Sequence, residues 1–112
     1  MAGLADEIKV DKYLNKDLPD MWFMLKNKLL NEAVTSVIEI KPTEALKYVH
    51  DMEGLFLSLD IDTNYILPHI IVNGYNSSRK YDGMNLNIKI LDVSKIDLFR
   101  RQYINKKRKE KA

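Results

Sequence analysis

Apolar residues at Leu18, Trp22, Leu25, Leu29 and Ala33 recur at helical spacing and predict a helix over residues 16–34. Asp17 is placed to cap it, and Pro19 falls in the first turn, where a missing N–H leaves no bond unmade. Met21, Phe23, Met24 and Leu30 carry the apolar surface well past that stripe. A helix so broadly apolar predicts burial against a partner chain, with Trp22, Phe23 and Met24 as the anchor. Taken alone, Trp22 reads as a core residue.

The pattern then shortens. Ile38 and Ile40 alternate around Glu39 in a strand ended by Pro42. Residues 43–56 predict one helix, with Thr43 as cap, Glu44 near its positive end, Leu46, Val49 and Met52 inward, and Gly54 ending or interrupting it. Residues 57–65 have no helical period and read as a connection. A second short helix follows, with Pro68 near its start, Ile71 and Val72 inward, and Asn73 and Gly74 in the left-handed conformation that closes it. After a polar turn containing Gly83, Leu86, Ile88 and Ile90 alternate with Asn85, Asn87 and Lys89 as a half-buried strand. Ser94 opens a terminal helix with Ile96, Phe99 and Tyr103 on one stripe. Two such short strands need helices over one face, so the expected fold is α+β: a two-stranded antiparallel sheet with both intervening helices on one side.

Composition trims the options. The chain has 112 residues and no cysteine, which excludes disulfides, thiolate zinc sites and cysteine nucleophiles. The first residues carry Asp6 and Glu7 and no apolar run, unlike a signal peptide, and no run is long enough to span a bilayer. Charge is unevenly spread. Residues 1–99 hold 11 Lys or Arg against 15 Asp or Glu, whereas residues 100–112 hold 7 against 1. That basic end reads first as a solvated tail. Without interleaved aromatics it is a weak nucleic-acid signal, which would betray itself by steep salt dependence.

The residues Ile38 to Leu46, with Lys41-Pro42 as a hinge, and the series Asn73, Gly74, Ser77, Tyr81, Gly83, Leu86 and Ile88 together resemble the LysM domain. The resemblance covers about half the chain in two separated pieces. It implies a βααβ core at residues 37–92, preceded by an arm and interaction helix at 1–36 and followed by a helix and basic tail at 93–112. In sugar-binding members two loops form a shallow groove for N-acetylglucosamine polymers. Carried over, they are Thr43 and Glu44 on one side and Gly74, Tyr75 and Asn76 on the other. The residues alone read as cap and turn chemistry. Thr43-Glu44-Ala45 stands where the family has a small residue, Asp and Thr, and the stretch from Leu46 to Asn73 is longer than usual.

LysM-like folds also serve as scaffolding in phage tails and baseplates. The expectation is therefore a non-enzymatic structural protein of a virion, made in the host cytoplasm, bound to other tail proteins in an oligomeric assembly and needing no cofactor. The alternative is a peptidoglycan-binding module. Catalytic candidates are thin. His50 and His69 fall on different predicted helices, and Asp60 and Asp62 lack further oxygen ligands for a cation. Neither a phosphate-binding glycine loop nor a nucleophile elbow is present. No catalytic or metal residue is assigned.

Overall fold

A computed structural model describes residues 20–111. The expected cap Asp17, together with Leu18 and Pro19, lies outside that range. Helix α1 (residues 20–32) passes through a single turn residue, Ala33, into strand β1 (Val34–Glu39). Helices α2 (Pro42–Lys47), α3 (Met52–Ser58) and α4 (Ile66–Val72) follow, then strand β2 (Asn87–Leu91) and the long helix α5 (Val93–Lys111). Short 3-10 turns cover Thr63–Tyr65 and Ser78–Lys80. The architecture is α+β, with one two-stranded antiparallel sheet.

The two strands pair with Ile38 opposite Ile88 and Glu39 opposite Asn87, and a bulge separates Val34 from Ser36. Ile40 extends the pairing by donating its N–H to the Leu86 carbonyl at 2.8 Å. Ile88 and Ile40 are buried, whereas Val37 is 57% exposed. In β2 the buried Ile88 stands between exposed Asn87 and half-buried Lys89, in line with its alternation, whereas β1 does not alternate: Ile38 is exposed like Val37 and Glu39 beside it.

Helix α4 organises the interior. Six of its residues are buried. Ile66 and Ile70 join Ile40, Ala45, Phe56, Tyr81 and Ile88 in a cluster under the sheet. Ile71 and Val72 turn to a second cluster, where Trp22 and Leu29 of α1 meet Ile96 and Phe99 of α5. A helix apolar on all sides must be enclosed on all sides, and here α1 and α5 supply the second wall. No helix among the described residues is long and apolar enough to cross a membrane.

Several expectations are corrected. The single helix over residues 43–56 is two, α2 and α3, broken at His50, whose φ is +62°. A long-range bond holds the break, because the His50 N–H donates to the Tyr81 carbonyl at 2.8 Å. Asp51 then caps α3 by accepting from the Gly54 N–H at 2.9 Å, so Gly54 lies in a first turn and neither ends nor interrupts a helix. Thr43 does not cap α2. The helix starts one residue earlier at Pro42, and the cap position, Lys41, makes no side-chain bond. In so short a helix the inward position is Ala45, fully buried, while Leu46 is 68% exposed. At α5 the cap is Asp92, not Ser94: its Oδ1 accepts from both the N–H and the hydroxyl of Ser94, at 2.9 and 2.7 Å. Those bonds hold the Asp92 carboxyl below the usual carboxylate range.

The turn before β2 depends on Gly83. Its φ is +78°, and a Cβ there would stand 3.0 Å from Val49 Cγ2 and 3.5 Å from the Ala45 carbonyl. Gly74 also has positive φ, +95°, but open space around it. Gly83→Ala is therefore expected to lower stability by about 2 kcal/mol and Gly74→Ala by about 1 kcal/mol, the difference being the close approach to Val49 in the turn after α2. Urea unfolding of the two variants measures it. Equal losses would mean that backbone strain alone matters at both turns.

Candidate functional site

The sequence singles out α1 and the turn after α4, and the structure brings parts of both to one depression. Trp22 is fully buried. It anchors α1 to its own chain and is thereby removed from the expected partner-facing trio, for its ring fills the space between α4 and α5. The Arg100 guanidinium lies 5.4 Å from its ring centre. Phe23 and Met24 point the other way, 47% and 68% exposed.

Phe23 and Lys26, one helical turn apart, form one wall of a shallow hollow of about 300 Å³. Gly74, Tyr75, Asn76 and Lys80 form the other. Gly74 lets the chain leave α4 sharply, and the Tyr75 N–H then bonds back to the Ile70 carbonyl at 3.2 Å. Tyr75 rests edge-on against the buried ring of Tyr81, with centres 5.7 Å apart. Tyr81 is in turn fixed by its hydroxyl donating to the Asn85 carbonyl at 2.9 Å. Burial, helped by the nearby Asp82 carboxylate, raises the Tyr75 hydroxyl above its ordinary value, so it remains a neutral donor. The hollow thus offers two aromatic rings, an amide and two amines.

The other half of the expected sugar groove lies elsewhere. Thr43 and Glu44 are exposed on α2. Glu44 lines a different hollow, of about 410 Å³, with Ile38, Tyr48, Leu55 and Leu59. Its carboxylate is engaged with Lys47 at 2.9 Å. Thr43 lines neither hollow. The five residues therefore do not converge on one hollow.

Two polar residues buried nearby were given other parts by the sequence. Asn73 has ordinary φ, −85°, and does not close α4 in a left-handed conformation. Its side chain instead acts as a missing strand. Nδ2 donates to the Lys89 carbonyl at 3.1 Å, and Oδ1 accepts from the Lys89 N–H at 2.8 Å. His69 is fully buried. Its Nδ1 donates to the Tyr65 carbonyl at 2.7 Å, which leaves Nε2 to accept from the Leu91 N–H at 3.0 Å. Asn85 Oδ1 accepts from the Asn87 N–H at 3.1 Å. The edge of β2 that faces away from β1 is thus closed by side chains.

The remaining catalytic and metal candidates resolve into local structure. His50 Nδ1 donates to the Arg79 carbonyl at 3.0 Å. Asp62 accepts from the Asn64 N–H at 2.9 Å, and Asp60 occupies a left-handed turn with φ +63°. Among the described residues no three His, Asp or Glu side chains are grouped to hold a metal ion. Lys26 could have been read from its i+3 spacing after Phe23, but nothing periodic marks Lys80. Comparison with protein-family models, with curated proteins and with solved structures finds no match to this chain.

Proposed function

We infer that the chain is a non-enzymatic structural module with a LysM-like core, of the kind that builds phage tails and baseplates, and that it docks onto a neighbouring virion protein through the outer face of α1. The observation that carries the docking is the pair Phe23 and Met24, large, apolar and exposed on a helix that Trp22 and Leu29 pin to the core. A rigid helix presenting large side chains loses little conformational freedom on binding. The core assignment draws support from the antiparallel pairing of Ile38 with Ile88 and from the helices held between the two strands.

The experiment is incorporation into particles. Tagged chain produced in cells that make the particle is expected to co-sediment with it. Phe23→Asp is expected to reduce that fraction about tenfold, with circular dichroism unchanged. Equal incorporation of both forms would remove Phe23 from the interface, and absence of both from every sedimenting particle would end the virion reading.

A second reading, peptidoglycan binding, is favoured by the hollow itself, where Phe23 and Tyr75 stand beside the Asn76 amide. It requires retention on purified cell walls that Tyr75→Ala and Asn76→Ala both weaken. A chain that washes off the walls excludes it.

A further inference from the structure

Helices α1 and α5 run side by side in opposite directions. Lys28 meets Phe99 and Gln102, and Met24 meets Tyr103, whose hydroxyl lies 3.9 Å from the thioether sulfur. Between them is a groove of about 300 Å³. Met24, Leu25, Phe99 and Tyr103 form its apolar floor. Phe99 and Tyr103 are four residues apart, and Lys106 and Lys107 follow Tyr103 by three and four, so helical geometry brings all of them to one face. Lys28 completes a cationic rim, and among the described residues none that lines the groove is acidic. Arg101, Arg108 and Lys109, exposed on the same helix, add to the positive field.

We propose that this groove binds an acidic amphipathic peptide segment of a partner protein, with one apolar side chain seated on the floor that Met24, Leu25, Phe99 and Tyr103 form and carboxylates meeting Lys28 and Lys106. Charge complementarity selects the sign of the partner. The apolar floor selects a peptide over a nucleic acid, for a base needs an open aromatic face. Here Lys28 Nζ sits 4.5 Å from the centre of the Phe99 ring, and Lys107 Nζ sits 5.6 Å from that of Tyr103. With cations over both rings, the floor offers aliphatic and thioether surface with ring edges, which suits a leucine- or phenylalanine-sized side chain. The inference goes beyond the virion reading, because it needs only this chain and a peptide.

The test is fluorescence anisotropy on the whole chain. The probe is a labelled synthetic peptide of Glu and Gly residues with a single central Leu, and its control carries Ser in place of Leu. The Leu peptide is expected to bind with an affinity that falls as salt rises. Replacing Leu by Ser is expected to weaken binding about tenfold, as are Met24→Ser and Lys106→Gln. Met24 and Lys106 are exposed, and glutamine keeps helix propensity, so circular dichroism is expected to show all variants folded. Three results would overturn the proposal: no binding of the Leu peptide, equal binding of the Leu and Ser peptides, or displacement of the Leu peptide by a single-stranded oligothymidylate of equal charge. Binding is read on the isolated chain, so its failure is distinct from a failure of particle assembly.

Discussion

Replacing His69 by Ala is expected to destabilise the chain by about 4 kcal/mol, the sum of an emptied ring site and an orphaned backbone donor. The ring is fully buried and packs on Phe56 with centres 5.3 Å apart. Its Nε2 is the acceptor for the Leu91 N–H, on an edge where β1 cannot reach. His69→Phe separates the two contributions. It restores the ring but not the acceptor, and is expected to lose about 2 kcal/mol. The same bond makes stability acid-sensitive. Burial holds His69 below its ordinary pKa, so the folded chain keeps it neutral while the unfolded chain protonates near pH 6.5. The contribution is therefore complete above pH 6.5 and is lost as pH falls below it, by up to about 1.4 kcal/mol per pH unit until the folded-state pKa is reached. Urea midpoints from pH 8 downward, compared between the native chain and His69→Phe, are the measurement. Parallel curves would show that His69 does not titrate with unfolding.

Asn73→Leu is expected to lower stability by about 3 kcal/mol and to raise aggregation at the same time. The substitution keeps a side chain of similar size but leaves both backbone groups of Lys89 without their partners. An unfilled strand edge recruits other strands. Asn73→Asp keeps the acceptor for the Lys89 N–H but places a carboxylate against the Lys89 carbonyl, and is expected to destabilise as much. Thermal unfolding gives the first effect and light scattering of the folded variant the second. Loss of stability with unchanged scattering would mean that Asn73 stabilises the edge without protecting it.

Strand β2, α4 with Pro68 inside it, and the Gly83 turn were legible because each depends on residues close in sequence, whereas β1 begins at Val34, inside the stretch that the apolar period assigns to the first helix. The alternation of Leu86, Ile88 and Ile90 locates β2 within a residue or two. What escaped depended on distant partners. His50 breaks a helical pattern only because Tyr81 and Arg79 receive its N–H and ring. The same break exposes Leu46 and turns Ala45 inward, which no local periodicity could signal. Asn73 follows a helix and precedes a glycine, the usual setting of a helix stop. Its bonds to a strand sixteen residues away belong to the tertiary fold. The candidate site divides in the same way. The exposure of Phe23 and Met24 was readable from an overly apolar helix. The placement of Phe23 beside Tyr75 and Asn76 required the packing of α1 against α4, and that of Glu44 in another hollow required the packing of α2 and α3 beside β1.

The side-chain closure along β2 has a topological outcome. A ribbon sealed on one border can lengthen only across the other, so a strand arriving beside β1 completes the sheet instead of seeding further additions. Two chains meeting border to border in this way would consume the one open side that the described residues leave on each. Growth by that route stops at a pair.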